Sequence, residues 1–210
     1  VIARFELPKA LPSALLDGLA FDAEGGRCET KSDLFRYSSQ VAAVVGAMMT
    51  VLMGVRDPVV LARACDLGVA MQLTNIARDI GEDARNGRIY LPREWLDDVG
   101  LDEAEFLANP VFDERVARLT GRLVDEAEAL YDRALSGISG LPMACRPAIH
   151  AARILYREIG REVRRRGHNS VDSRAFIPDR QKLTLLTKAI AAAGISVRVD
   201  PAPPLAEVAY

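Results

Sequence analysis

Hydrophobic and polar residues recur at helical intervals along the whole chain, and no stretch alternates with the two-residue period of a half-buried strand. This pattern predicts an all-α protein. The predicted helices span residues 8–21, 33–53, 58 to about 83, 102–109, 113–136, 146–166 and 179–193. The chain contains no internal repeat or linker, so residues 1–195 are expected to belong to one domain. The proline-rich residues 196–210 are expected to form a disordered tail.

A polar stripe marks the helix that is predicted to begin at residue 58. Gln72, Asn75, Asp79 and Asp83 follow one another at steps of three, four and four, which places them on one helix face. Carboxylate and amide oxygens suit Mg2+, a hard cation that usually shares its shell with substrate phosphates. Arg78 lies in the same stretch, and guanidinium groups match phosphate oxygens. The stripe therefore predicts a site for a diphosphate and a metal ion.

A solvated helix surface is the alternative interpretation of the stripe. Three features favour a binding site. Amide side chains extend the stripe where a surface helix would carry Lys or Glu, and the order Arg78 then Glu82 is the less favourable one for a surface ion pair. The helix then runs into the turn Asn86-Gly87, followed by apolar residues that can cover the site.

Composition excludes several classes of protein. A chain of 210 residues with 50% hydrophobic residues can bury a sizeable core, and a net charge of −2 offers no basic field for nucleic acid. Three distant cysteines indicate reduced thiols and a cytoplasmic setting. The longest apolar run, residues 41–53, is shorter than the roughly 20 residues that span a bilayer. The arginine run 164–166 is typical of a solvated helix end, and peripheral contact with anionic lipid at the inner face of a membrane stays open.

The motif helix and the turn after it carry a family resemblance. The segment NIARDIGEDARNGRIYLP resembles the second aspartate-rich motif of the squalene and phytoene synthase family, and the likeness extends from about residue 7 to residue 186. It implies an isoprenoid-synthase-type helical bundle around a central cavity, of which this chain is the C-terminal portion without the N-terminal helices. It also implies that Asn75, Asp79 and Asp83 bind Mg2+ or Mn2+, and that no nicotinamide cofactor is needed.

Two further segments resemble the same family. The segment YSSQVAAVVG implies a helix that lines an isoprenoid tunnel, with Tyr37 near the diphosphates, although ordinary buried packing explains its small residues equally well. The implied tunnel residues are Val41, Ala42, Val45, Gly46 and Gly68. The segment from residue 151 to 178 resembles the family's last conserved block, with Tyr156 in the active site and Arg174 on the diphosphate. Typical members have two arginines where this chain has Ser173-Arg174.

The implied reaction is the head-to-head condensation of two geranylgeranyl diphosphates through prephytoene diphosphate to phytoene. The residues implied to act in it are Tyr37, Gln72, Arg78, Asp79, Asp83 and Tyr156, with Arg78 and Arg174 binding diphosphate. The alternatives are a squalene or dehydrosqualene synthase that uses farnesyl diphosphate and a homologue that serves as an assembly factor without catalysis. Because the first aspartate-rich motif is absent, we expect the 210-residue chain alone to be inactive.

Overall fold

The computed structural model describes residues 2–208; Ala209 and Tyr210, the end of the predicted tail, lie outside the described residues. The α-helices are α1 (Ile2–Phe5), α2 (Ala10–Ala23), α3 (Lys31–Ser38), α4 (Val44–Leu52), α5 (Pro58–Arg85), α6 (Arg93–Val99), α7 (Glu103–Ala108), α8 (Glu114–Ile138), α9 (Arg146–Arg165) and α10 (Asp179–Ala193). Between residues 2 and 208 there is no β-strand, which confirms the all-α prediction.

The helix predicted over residues 33–53 is a continuous helical run that contains a π-helical turn. Thr30 begins it: its hydroxyl accepts a hydrogen bond from the Asp33 amide, while the Asp33 carboxylate accepts one from the Thr30 amide at 3.0 Å. The π turn, Ser39–Ala43, separates α3 from α4. Such turns are rare and frequent at functional sites. No sequence pattern indicated this one.

Helix α6 is the longer of two α-helices that the sequence pattern missed; the other is the four-residue α1. It follows Pro92 directly and ends at Gly100, which adopts the left-handed conformation. Only Trp95 and Leu96 are buried within its seven residues. Its apolar residues Trp95, Leu96 and Val99 have helical spacing, but they span only five positions, which is too short a window for a periodicity argument.

Helix α5 is the central helix of the bundle. Asp57 caps it by accepting a hydrogen bond from the Val59 amide at 2.8 Å, and Pro58 occupies the first turn, where its missing N–H costs nothing. Its main neighbours are α8, α4, the π turn and α9. By length and composition alone α5 could cross a membrane, but 67% of its most apolar window is buried inside the fold. A core helix satisfies the same test.

The segment after α10 packs on the bundle, unlike the disordered tail that the sequence predicts. The buried Arg63 side chain donates a hydrogen bond to the Ala202 carbonyl at 3.1 Å, and Arg133 donates one to the Pro203 carbonyl at 2.9 Å. Leu205 and the buried Val208 contact the main core. Arg63 and Arg133 need hydrogen-bond acceptors, and Leu205 and Val208 gain burial through the contact. Both effects depend on residues that are distant in sequence, so the composition of the tail does not show them.

Candidate functional site

The polar stripe of α5 begins in the wall of a cavity that is open on one side. Gln72 and Asn75 line a cavity of about 370 Å3, and Asp79 and Asp83 follow one and two turns further along the helix. The intervening Ile76 and Ile80 are buried. The stripe thus connects an apolar chamber to a cluster of charges.

The predicted tunnel residues line the cavity together. Val41 and Ala42 come from the π turn, Val45 and Gly46 from α4, and Gly68 from α5. The opposite wall, which sequence reasoning missed, comes from α8, α9 and the turn between them, with Ile138, Leu141, Ile149 and Ala152. These positions carry no motif, and they are brought to α5 only by tertiary packing.

Gly46 and Gly68 have a packing role as well as a place in the cavity wall. A Cβ atom on Gly46 would lie 2.7 Å from the Ala64 carbonyl oxygen, and one on Gly68 would lie 2.6 Å from the Ala42 carbonyl oxygen. These glycines allow the two helical segments to touch backbone to backbone. The packing and tunnel interpretations of the sequence are therefore compatible at both positions.

Asp79 is held between two guanidinium groups. Arg78 donates to it through Nε at 2.8 Å and Nη2 at 2.6 Å. Arg174 donates to it through Nη2 at 3.1 Å, and its Nε lies 2.7 Å from the carboxylate in an ion pair. The Asp79 hydrogen bonds raise the pKa of Arg78. The structure thus brings three predicted residues together from positions as far apart as 95 residues. Two cations at one point form a binding site for an anion with several oxygens.

The loop that carries Arg174 is fixed to α5 at Gly81. The Gly81 amide donates to the Ser170 carbonyl at 3.2 Å, and a Cβ atom at Gly81 would lie 2.4 Å from the Val171 carbonyl oxygen. Arg85 donates to the same Val171 carbonyl at 3.1 Å. This close approach places Arg174 beside Asp79. Sequence reasoning gave Gly81 and Arg85 no role in it.

Ser173 is the neighbour of Arg174 at the position where the family resemblance implies a second arginine. It contacts Arg166 and not Asp79. Its hydroxyl accepts a hydrogen bond from Arg166 at 3.3 Å. Arg174 reaches the stripe and also lies 3.5 Å from the Glu82 carboxylate. Of the two adjacent residues, Arg174 is thus the one positioned to contact a ligand at Asp79.

Oxygen atoms on the stripe fit a hard divalent cation. The Asn75 Oδ1 atom is buried and has no hydrogen-bond partner among the described residues, while its amide nitrogen donates to Gln72 at 3.4 Å. Burial and the negative charges of Asp79 and Glu82 raise the pKa of Asp83 to about 6. Within residues 2–208 no group of three His, Cys, Asp or Glu side chains could hold a metal ion. The stripe alone therefore supplies at most part of a metal site, namely the amide of Asn75 and the carboxylates of Asp79 and Asp83.

Tyr37 lies outside the cavity, in a separate polar cluster. Its hydroxyl donates to Asp22 at 2.8 Å, and the Tyr90 hydroxyl donates to the other oxygen of that carboxylate at 2.9 Å. The two tyrosine rings stack with centroids 5.2 Å apart. Burial is the main cause that raises the pKa of Tyr37. The cluster reaches the stripe through Arg88, which lies 3.3 Å from Asp22 and lines a small cleft with Asp83.

Asp22 and Tyr90 are the members of this cluster that sequence reasoning missed. Tyr90 belongs to the GRIYLP segment, so its motif could have marked it as a candidate. Asp22 lies on α2 without any motif spacing, and only the fold reveals it. Tyr156, on α9, is half-buried and is close enough to Arg78 to contribute to its raised pKa.

Comparison with known proteins identifies the family. A model of the squalene/phytoene synthase family matches residues 1–185. The chain belongs to this family. Among its relatives, the phytoene synthase of Cereibacter sphaeroides is 57% identical over 196 residues, covering 93% of this chain and 55% of the relative. The phytoene synthase of Rhodobacter capsulatus is 50% identical over 186 residues, covering 89% and 55%.

Solved structures of the family support the fold. A dehydrosqualene synthase in complex with a ligand superimposes with a TM-score of 0.78 at 32% identity, covering 87% of this chain and 64% of that one. The isoprenoid-synthase-type bundle predicted from the sequence is therefore confirmed. The chain spans about half the length of the curated relatives that it matches, since 55% of each of the first two is covered.

Proposed function

We propose that this chain supplies the isoprenoid cavity and one side of the diphosphate site of a prenyltransferase that condenses two geranylgeranyl diphosphates head to head to phytoene. The observation that carries the proposal is Asp79 held between Arg78 and Arg174 at the polar end of an apolar cavity. The relatives named phytoene synthase support the choice of product. A cytoplasmic location, expected from the cysteine pattern, belongs to the same proposal.

The cavity would bind the hydrocarbon part of the substrate. Its volume of about 370 Å3 falls in the range of about 300–1,000 Å3 that is usual for small-molecule sites. Most of its wall is aliphatic, including Val41, Val45, Leu67 and Ile138. Such a wall would shield from water the part of the substrate that it covers, and water would otherwise capture the allylic cation that forms when the diphosphate leaves.

The charged residues would bind the diphosphate. Arg78 and Arg174 lie at the polar end of the cavity before the substrate binds. Their positive charges would therefore be preorganised to stabilise the negative charge that develops on the leaving diphosphate. Asn75, Asp79 and Asp83 would hold Mg2+ or Mn2+, which supplies charge neutralisation of the leaving diphosphate. Gln72, at the boundary between cavity and stripe, would border the cation.

The tyrosines would act at the margin of this site. Tyr156 lies near Arg78, and Tyr37 is held in place by Asp22 and by the Tyr90 ring. The high pKa of Tyr37 keeps its hydroxyl protonated, so it holds the Asp22 carboxylate that pairs with Arg88, and Tyr37 would act on the site through this cluster.

Synthesis of dehydrosqualene or squalene from farnesyl diphosphate is the second candidate, because a dehydrosqualene synthase shares the fold over most of the chain. A non-catalytic assembly factor is less well supported, because Asn75, Asp79 and Asp83 are all present.

Product analysis tests the proposal. In a chimera, this chain would replace the matching region of the Cereibacter sphaeroides phytoene synthase and would be supplied with each diphosphate and Mg2+. We expect phytoene from geranylgeranyl diphosphate as the main product. A farnesyl-derived hydrocarbon as the main product would favour the second candidate. Loss of all products by a folded chimera would contradict an enzymatic role.

A further inference from the structure

The end of the cavity that lies away from the polar stripe is formed by three aliphatic residues and one arginine. Val60, Ile138 and Leu141 are buried, pack together in one cluster and line the cavity. Arg63 follows Val60 by one turn of α5 and is the only charged residue among the described residues of the cavity wall. At about 1.5 Å per helical residue, Val60 lies roughly 22 Å along α5 from Asn75 at the polar end. We call Val60, Arg63, Ile138 and Leu141 the end wall.

The segment after α10 packs on this end wall without lining the cavity itself. Val199 is half-buried and packs against the three aliphatic residues of the end wall, but it is not one of the residues that line the cavity. Two serines at the end of α8 hold the backbone on both sides of Val199. The Val197 amide donates to the Ser139 hydroxyl at 2.8 Å, and the Asp200 amide donates to the Ser136 hydroxyl at 3.0 Å. Val199 is therefore fixed behind the cavity wall.

The same segment supplies hydrogen-bond acceptors to Arg63. The Arg63 side chain is fully buried, and it donates to the Ala202 carbonyl at 3.1 Å and to the Pro203 carbonyl at 3.3 Å. Its guanidinium group also lies 2.9 Å from the Asp66 carboxylate and 3.7 Å from the Asp200 carboxylate. A buried charge is costly unless it is paired and hydrogen-bonded. The end wall therefore depends on the segment after α10 for its stability.

The end wall also packs closely against the C-terminal end of α8. A Cβ atom on Gly137 would overlap the Arg63 side chain, and one on Gly140 would overlap Val60. Protein interiors of this density leave little free space, so a wall residue can move only if its neighbours move too. For the aliphatic part of the end wall, one such neighbour is Val199.

We propose that Val199 and the backbone that holds it fix the end wall, and so set the longest isoprenoid chain that the cavity accepts. The inference rests on the proposed function, since it takes the cavity as the isoprenoid site. A chain with one further isoprene unit has to displace the end wall toward Val199, and overpacking a filled interior is unfavourable. A smaller side chain at position 199 leaves space into which the wall can move. Val199 is thus a positioning residue that acts through the end wall and does not contact the substrate.

Binding of unreactive substrate analogues to the chimera tests the inference without any need for turnover. The probes are the thiolodiphosphate analogues of geranylgeranyl diphosphate and of geranylfarnesyl diphosphate, which is one isoprene unit longer. Sulfur replaces the bridging oxygen in both, so the prenyl group leaves far more slowly. Titration calorimetry gives the two dissociation constants, and we expect the unmodified chimera to bind the longer analogue more weakly. In Val199→Ala the ratio of the two constants should shift by about fivefold or more toward the longer analogue, because the overpacking is relieved.

A second variant removes the contacts that hold the segment after α10. Ser136→Ala/Ser139→Ala deletes both hydroxyl acceptors and should shift the ratio in the same direction. The matched control is Val197→Ala, because Val197 is 44% exposed and is not part of either apolar cluster, while its amide can still donate to Ser139. The control should keep the ratio of the unmodified chimera. Circular dichroism should show that all variants are folded.

The outcomes separate this inference from the proposed function. An unchanged ratio in Val199→Ala would overturn the inference, even if both analogues bound more weakly, since Val199 would then serve stability alone. An equal shift in the Val197→Ala control would also overturn it. A shifted ratio in a chimera that makes no hydrocarbon product would contradict the proposed reaction and support the inference about the cavity. Absence of analogue binding by the folded, unmodified chimera would overturn both.

Discussion

Asp79 makes ion pairs that a diphosphate and a metal ion would rearrange. Its carboxylate accepts hydrogen bonds from Arg78 and Arg174, the two groups best placed to contact phosphate oxygens. The two side chains of the Arg78–Asp79 pair are only 16% exposed, so these two charges interact more strongly than surface groups would, while Arg174 is 51% exposed. Substrate binding would then give each arginine a new partner and leave the carboxylate to the metal.

Arg174 is expected to bind diphosphate, and Ser173 is not. In the chimera, Arg174→Gln should raise the KM for geranylgeranyl diphosphate. The expected loss of binding free energy is about 1.5–3 kcal/mol, the usual contribution of a hydrogen bond to a charged group. The neighbouring control Ser173→Ala should change the KM little, since Ser173 contacts Arg166. Steady-state kinetics of both variants provide the measurement. Equal effects would contradict the assignment of Arg174.

Asp83 should make stability depend on pH in the metal-free chain. Its pKa in the fold is about 6, above the ordinary 3.8, because burial and neighbouring carboxylates disfavour its charge. The fold is therefore more stable while Asp83 is protonated. This contribution to stability is complete below about pH 4 and is lost as the pH rises through 6. At pH 7.5, Asp83→Asn should raise the free energy of unfolding by about 1 kcal/mol after solvent screening, which a higher melting temperature would show. Below pH 4 the substitution should have no effect. A lower melting temperature at pH 7.5 would contradict this explanation.

Long, strongly periodic helices and the capped short helix α7 could be predicted from the sequence, while α1, α6 and the tertiary contacts could not. Helix α5 carries its period, its cap and its motif within one stretch of residues, so local patterns define it. Helix α6 has too few apolar residues to show a period. The α8–α9 wall of the cavity, the Asp22 cluster and the packed tail depend on contacts between distant residues. The stripe could be predicted because one helix carries all of it.

Gly81 should be essential for the position of the Arg174 loop. Gly81→Ala places a Cβ atom 2.4 Å from the Val171 carbonyl oxygen, so the loop must move. Overpacking of this kind costs about 1–3 kcal/mol, and we expect a lower melting temperature in the metal-free chain. Gly160→Ala is the matched control, since its Cβ atom would meet its nearest neighbour, Val124 Cγ1, at 3.8 Å. Alanine there should be neutral or stabilising. An unchanged melting temperature for Gly81→Ala would contradict the tight contact.

At the scale of the whole molecule, the site is open on one side. The cavity residues Val45 and Met49 are 40% and 47% exposed, and the candidate metal ligands all come from α5. We therefore predict that the purified 210-residue chain has no measurable turnover of geranylgeranyl diphosphate, whereas the chimera is active. Robust Mg2+-dependent synthesis of phytoene by the chain itself would show that its own residues complete the site.

The central claim is that the α5 stripe binds the metal and diphosphate, and phytoene synthesis by Asp79→Asn in the chimera tests it most directly. The substitution keeps the shape of the side chain and removes its charge. The matched control is Asp98→Asn, a carboxylate 55% exposed that pairs only with Arg122 among the described residues. We predict that Asp79→Asn abolishes turnover at saturating Mg2+ with an unchanged circular dichroism spectrum, while the control keeps the rate of the unmodified chimera. A rate near that of the unmodified chimera for Asp79→Asn would contradict the claim and would make the stripe a solvated helix surface.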